Sequence, residues 1–339
     1  MENPNWPAGS DRQDSEAADG DEFAVIGRFR AKFGAGDGAG APAGEVWIGD
    51  DAAAVASPGA GLVLATDLTV AGVHVDLDVC GPDDVGYKAV MVAVSDLAAM
   101  GTRPSHLLVS LAAPPGTDLD LVADGVAGAA AEVGAVVVGG DLSTAPVLVV
   151  SVAVVGGGGP GGLLLRRGAR PGDMLVVTGP LGASAAGLRV LRDQWRGQGD
   201  LRGGMPPSPL AALVSAHRRP RARLDEGETA RLAGAHAAID ISDGLVADLA
   251  HLAGDSGVGV ELGSVPVAPG ATFEEALGGG EDYELLLATD DPGGLAAAFA
   301  RAGLRPPLPV GRCVVDPSVR TLDGRALPLS GWRHRFGPG

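Results

Sequence analysis

The sequence predicts two tandem domains of mixed α/β type, α+β in the second half, and three observations carry that reading. Short β-branched runs alternate with stretches of helical period from Val46 onward. Six glycines and one proline fill positions 156–162 and interrupt the alternation near mid-chain. The 339 residues, 46% hydrophobic but only 4% aromatic, suffice for two cores built from Ala, Val and Leu. The predicted layout is an acidic disordered tail over 1–21, an N-terminal domain over 22–157 and a C-terminal domain over 163–336.

Each element has its own justification. Phe23, Ile26 and Phe29 give a short amphipathic helix starting at Glu22. Val46–Val55 reads as a strand broken at Gly49-Asp50-Asp51, and Leu62–Asp67 as a strand ending in a carboxylate. Residues 83–100 read as a helix, with Pro82 in its first turn, Asp83 and Asp84 at its positive end and Gly101 as its stop. Strand 105–111, helix 118–133, strand Val136–Asp141 and strand Val147–Val155 complete the first half. The second half is predicted to run strand 174–178, helix 182–191, a polar loop over 193–209, helices near 209–216 and 225–234, and strand Ala237–Ile241. A helix bearing Leu245, Leu249 and Leu252 follows, then strand Leu285–Ala288, helix Gly294–Ala302 and short strands to Phe336. No period of 20–50 residues repeats, which excludes a solenoid.

Charge and composition exclude several functions. A net charge of −17, with Lys32 and Lys88 the only lysines, argues against a nucleic-acid surface. An anionic ligand would have to arrive with metal ions. Cys80 and Cys313 stand far apart and form neither a metal spacing nor a disulfide framework, so free thiols in the cytoplasm are expected. Residues 1–22 are polar and acidic, unlike a signal peptide. The uncharged run 142–165 is long enough to cross a membrane, but its β-branched centre and glycine-rich end read as a buried strand and loop.

The chemistry is read from the acids. At 100° per residue Val85, Ala89, Val92, Asp96 and Ala99 share one line of the 83–100 helix, which puts a carboxylate in the stripe expected to be buried. An unanswered carboxylate there would cost several kcal/mol, so it must be paired, protonated or bound to a cation. Three first-half strands are expected to end in acid, at Gly49-Asp50-Asp51, Thr66-Asp67 and Gly139-Gly140-Asp141. Gathered at the ligand-binding edge of an open sheet, such carboxylates need divalent cations, and their hard oxygens select Mg²⁺ or Mn²⁺. In Ile239–Leu245, alternation places Asp240 and Ser242 on one face and Asp243 at a helix start. The Walker, kinase H-R-D and D-F-G, H-x-x-x-H and G-x-S-x-G patterns are all absent.

The motifs GDDAAAV (49–55), TDLTVAGVHV (66–75), GYKAVMVAVSDLAAMGTRP (86–104), GGDLS (139–143), RRGARPGD (166–173), IDISDGLVADL (239–249), GGEDYEL (279–285) and GWRHRF (331–336) together resemble the thiamine-monophosphate kinase family. That family belongs to a superfamily that includes aminoimidazole ribonucleotide synthetase. The resemblance runs in family order from about 47 to 336, and departs from the usual pattern at Val75, Ala93 and Leu142.

What the resemblance implies is a two-domain aminoimidazole ribonucleotide synthetase-like fold whose N-terminal mixed sheet pairs in a homodimer. It implies ATP-dependent phosphorylation of thiamine monophosphate with several Mg²⁺ ions. By motif, Asp51, Thr66, Asp67, Asp96, Asp141, Asp240 and Asp243 would hold metal, with Asp96 and Asp243 closest to the catalysis. Asp51, Gly140, Arg166 (or its neighbour Arg167) and Ser242 would meet ATP. His74, Glu281 and an aromatic of the last motif, Trp332 or Phe336, would hold the substrate. The alternatives are a nucleotide-binding protein of this fold without turnover, or another ATP enzyme of the superfamily. A selenide-acting enzyme is disfavoured because no cysteine precedes Cys80.

Overall fold

In the computed structural model the described residues are 61–158, 162–198, 210–328 and 330–332, with Arg28 and Lys32, both helical. The predicted tail, the rest of the helix from Glu22 and the Val46–Val55 strand lie outside them. The first half runs β1 (Leu62–Val70), α1 (Pro82–Ala99), β2 (Pro104–Ala113), α2 (Leu119–Val133), β3 (Val136–Thr144) and β4 (Val149–Gly157). Its four strands form a mixed sheet in the order β1-β4-β2-β3, in which the β2–β3 pair alone is parallel. The uncharged run 142–165 contains the end of β3 and all of β4, and no helix among the described residues is long and apolar enough to span a membrane.

Two of the expected strand ends are corrected. Asp67 pairs with Val152 and Asp141 with Ser110, and both strands continue for three more residues. Leu68-Thr69-Val70 and Leu142-Ser143-Thr144 keep the period of two, so the ladders have no reason to stop at the acid. Register then decides which way each side chain faces. The row Asp67–Val152–Val109–Gly140 lies on the core face, and the row Leu68–Ser151–Ser110–Asp141 lies on the outer face. Thr66 shares that outer face.

The second half runs β5 (Met174–Val177), α3 (Ala183–Gln198), α4 (Ala211–Arg218), α5 (Leu224–Leu232), β6 (Ala237–Asp240), α6 (Leu245–Ser256), β7 (Gly259–Leu262), α7 (Phe273–Gly278), β8 (Leu285–Thr289), α8 (Pro292–Arg301), β9 (Leu308–Val314), β10 (Arg320–Leu322) and β11 (Arg325–Ala326). Its seven strands are ordered β11-β10-β7-β9-β5-β8-β6, antiparallel except for β10 on β7. The polar loop expected over 193–209 is also corrected, because α3 continues to Gln198; residues 199–209 lie outside the described set.

Helix α1 holds the halves together. It packs on β1 and β4 of the first sheet and on α2, and also on α4, α5 and β6 of the second half. One core cluster accordingly runs from Val63 through Leu97 to Val176, Leu285 and Phe299. The other face of the second sheet buries Leu175, Ile239 and Leu286 in a separate cluster. The expectation of a single buried stripe on α1 is therefore too narrow. Covered from several directions, the helix buries 14 of its 18 residues, and Val92 and Asp96 on the expected stripe are among the few that stay partly open.

Helices α1 and α2 cross closely because each offers a glycine to the other. A Cβ on Gly86 would lie 2.0 Å from the Val122 carbonyl oxygen, and one on Gly125 would lie 1.9 Å from that of Asp83. Gly128, on the same helix as Gly125, faces open space. Gly125→Ala is therefore expected to destabilise by about 2 kcal/mol or more through overpacking. Gly128→Ala should gain about 0.5–1 kcal/mol of helix propensity. Urea unfolding of the two variants checks this contrast, and equal effects would contradict the close crossing.

Candidate active site

The acids meet where α1 passes the end of β6. Ser95 of α1 donates its hydroxyl to Asp240 Oδ2 at 2.7 Å, a buried hydrogen bond between the two halves. Asp96, the next residue, opens into a cavity of about 670 Å³ that Asp240, Arg166 and Arg167 also line. Burial, then the negative charges of Asp240 and Asp67, push the Asp96 carboxyl up to about 7, against the pull of the Arg166 guanidinium. Asp240 is raised too, chiefly by burial, and is eased by the Ser95 hydroxyl and Arg166. The cavity continues past Leu64, Ala65, Met100 and Leu165 to Asp255. The lining thus combines acids and arginines with the apolar side chains of Leu64, Ala65, Met100 and Leu165.

A second group of residues closes on these from the C-terminal half. The 278–284 segment lies against the turn after β6: Glu281 N–H donates to the Ser242 carbonyl at 2.7 Å and Tyr283 N–H to that of Ile241 at 2.9 Å. A Cβ on Gly280 would stand 2.3 Å from the Ser242 oxygen, which explains the glycine there. Glu281 and Tyr283 both adopt positive φ, +65° and +50°, a conformation that costs a non-glycine residue about 1 kcal/mol or more. Burial drives the Tyr283 phenol well above its usual range, and the charges of Glu281, Asp67, Asp240 and Asp243 add to that. The charges of those four acids therefore all act on one phenol. Asp248 supports the turn, its Oδ2 accepting the N–H groups of Asp243 (3.0 Å) and Gly244 (3.1 Å).

The predicted residues are distributed unevenly. Asp67, Asp96, Asp240, Asp243, Glu281 and Arg166 are brought into one electrostatic neighbourhood. Asp243 does not start a helix as expected: α6 begins at Leu245 with Gly244 as its N-cap, because Gly244 takes φ +110° to turn the chain. Ser242 lies beyond the end of β6, so it does not share a strand face with Asp240. Asp141 and Thr66 stand exposed on the outer face of the first sheet, so within one chain they do not join Asp67. Gly140 allows β2 to approach, since a Cβ there would meet the Val109 oxygen at 1.8 Å. His74 accepts the Val70 N–H on Nδ1 at 3.0 Å, which leaves Nε2 as its protonated nitrogen. Trp332 is half exposed, and its backbone N–H donates to the Asp243 carbonyl. Asp51 and Phe336 lie outside the described residues. Of the departures from the family pattern, Val75 and Ala93 are buried in the core, where they pack.

Sequence reasoning missed Lys88, Ser95, Asp248 and Tyr283 as members of this constellation. Ser95 was signalled by adjacency to Asp96, and Tyr283 by the Gly-rich motif that contains it. Lys88 and Asp248 also lie within quoted motifs, at 86–104 and 239–249, but their partners are set by tertiary contact. Among the described residues no three His, Cys, Asp or Glu side chains are grouped tightly enough to hold a metal ion. The donor set nevertheless fits a hard cation, because Asp67, Asp96 and Asp240 supply carboxylate oxygens whose like charges act on one another.

Comparison with known proteins identifies the AIR synthase related protein N-terminal domain over residues 49–157 and its C-terminal domain over 170–319. The chain is 39% identical over 275 residues to the thiamine-monophosphate kinase of Corynebacterium glutamicum, covering 74% of this chain and 80% of that one. It is similar in structure to the thiamine-monophosphate kinase of Stenotrophomonas maltophilia, with a TM-score of 0.77, 33% identity and coverage of 90% and 98%. It is also similar to AaThiL complexed with AMPPCP and TMP, with a TM-score of 0.70, 32% identity and coverage of 93% and 97%.

With divalent metal removed by EDTA at pH 8, Asp96→Asn is expected to raise the thermal unfolding midpoint. The substitution deletes a charge repelled by Asp67 and Asp240, a gain of roughly 1 kcal/mol or more. A lower midpoint would mean that the carboxylates are not in mutual repulsion.

Proposed function

Because this chain belongs to the AIR synthase related proteins and, among them, to the thiamine-monophosphate kinase family, we infer that it transfers the γ-phosphoryl group of ATP to thiamine monophosphate and so forms thiamine diphosphate. The observation that carries this reading is the cavity at the junction of the halves, whose lining joins Asp96, Asp240 and Arg166 to the apolar side chains of Leu64, Met100 and Leu165. ATP is a ligand of matching character, a polyanion joined to a flat base. In our reading the triphosphate lies by Asp96, Asp240 and Arg166, and the adenine lies towards Leu64, Met100 and Leu165.

Asp67, Asp96 and Asp240 would hold Mg²⁺, together with Asp51 and Asp243 from the same motif set. Bound Mg²⁺ would supply the positive charge that offsets the repulsion between two anionic reactants. Arg166 contributes a guanidinium that tracks phosphate charge, and of the two arginines on the cavity wall it is the one whose field reaches Asp96 and Asp240. Ser95 keeps the Asp240 carboxylate in place. No side chain needs to act as a general base, since the accepting oxygen of thiamine monophosphate is already ionised near neutral pH. Glu281, His74 and the C-terminal aromatic pair Trp332 and Phe336 form the substrate side of the site in this reading. The reaction is placed in the cytoplasm, in keeping with two buried free thiols.

We further propose that two chains pair through the outer face of the first sheet. Leu62, Leu68 and Leu108 stand 54%, 48% and 40% exposed there, an apolar surface that water disfavours. Thr66 and Asp141 lie on the same face, so any part they take in metal binding is taken at that interface.

Incubating the protein with ATP, Mg²⁺ and thiamine monophosphate should yield thiamine diphosphate. Asp96→Ala should lose turnover by roughly 10³-fold or more while the fold persists; binding of both ligands without product would refute the kinase reading. Leu68→Asp with Leu108→Asp should convert a dimer to a monomer in analytical ultracentrifugation, and a wild-type monomer would refute the pairing.

A further inference from the structure

Lys88 lies on α1, one and a half turns after Pro82, and is 1% exposed. It is one of only two lysines among 25 basic residues. Its Nζ stands 2.8 Å from Glu281 Oε1, on a loop nearly two hundred residues further along the chain. The second carboxylate oxygen, Oε2, is 3.5 Å from His217 Nδ1, which also lies 3.1 Å from the Ser184 hydroxyl. His217 is itself buried, and its own burial, then the Lys88 charge, hold it well below its usual range, so a neutral ring faces the carboxylate. Lys88 is therefore the charge that balances Glu281 from within the protein. The glutamate remains 27% exposed, so its outer side is still accessible.

The backbone gives this pair its significance. Glu281 is held at φ +65°, a conformation that its side chain does not favour. The loop needs external restraint to keep it. Asp282 supplies part of that restraint by accepting the Gly182 N–H at 2.7 Å, and among the described residues Lys88 supplies the one ion pair to Glu281 that comes from the opposite half. Burying an ammonium this deeply has no stabilising value unless the carboxylate beside it is fixed. Along α1, Lys88 and Asp96 are eight residues apart, about 12 Å of helix rise. One rigid helix thus sets the distance between Glu281 and the phosphate end of the cavity.

We propose that Lys88 is the positioning residue for Glu281: the ammonium from the N-terminal half fixes a carboxylate carried by the C-terminal half in the orientation that receives the thiamine part of the substrate, which carries a cationic thiazolium and a hydrogen-bond-donating aminopyrimidine. This rests on the assignment of Glu281 to the substrate side of the site. Lys88 makes no contact with substrate itself. Its loss acts on acceptor affinity through Glu281 and leaves the ATP end untouched.

The test is a double-mutant cycle on the full-length enzyme, with KM for thiamine monophosphate, KM for ATP and kcat measured for Lys88→Met, Glu281→Gln, the double variant and Lys88→Arg. Glu281→Gln should raise KM for thiamine monophosphate by about tenfold, and Lys88→Met should do the same, within the range by which contacting residues couple. The double variant should be no worse than Glu281→Gln alone. KM for ATP should stay within about twofold in all four, and Lys88→Arg should recover part of the loss. If Lys88→Met does not fold, the double variant still decides, because it removes both charges from the buried site and is compared directly with Glu281→Gln. Multiplying effects in the double variant, or a parallel rise in KM for ATP, would overturn the role of Lys88 alone. An unchanged KM for thiamine monophosphate in Glu281→Gln would instead remove the Glu281 assignment, and this proposal with it.

Discussion

The structure depends on one helix being buried on nearly all sides. Once α1 is packed between the first sheet and the second half, the polar groups it buries must be answered within the protein, because water does not reach them. Three groups are answered from the opposite half or its neighbourhood: Lys88 by Glu281, Ser95 by Asp240, and Asp84 by Arg219 at 2.7 Å. Among the described residues, Asp96 is left beside charges of its own sign, with Arg166 as a partial counterweight. The helix that organises the fold therefore also generates the site, and the uncompensated residue is the one that faces the cavity.

Much of this architecture can be read from the sequence because it is local. The bounds of α1 follow from Pro82, the two acids after it and Gly101, and α2 is bounded by Asp118 and a left-handed Gly134. The strands follow from β-branched runs. What could not be read is which face a strand residue occupies once its neighbours are chosen. A motif places Asp67 and Asp141 together as acids after a strand, yet the ladder puts them on opposite faces of one sheet. Motifs record chemistry and order along the chain, whereas register is settled by pairing with β4 and β2.

The same limit explains the residues that only the fold reveals. Tyr283 acquires its surroundings because the charges of acids from three segments act on it, and the Gly-rich motif around it does not by itself indicate Asp67, Asp240 or Asp243. Asp248 is an ordinary first-turn acid until its Oδ2 is seen to hold the 243–244 turn. Strained backbone at Glu281 and Tyr283 falls in the same place as these charges, the expected signature of a site held in a shape its residues would not choose alone.

The core that runs unbroken from Val63 to Phe299 through α1 has a dynamic corollary. Two lobes carved from one hydrophobic block cannot swing apart like a hinged clamshell, since any such rotation would expose the helix between them. Ligands must then enter and leave without any rotation of the lobes against each other.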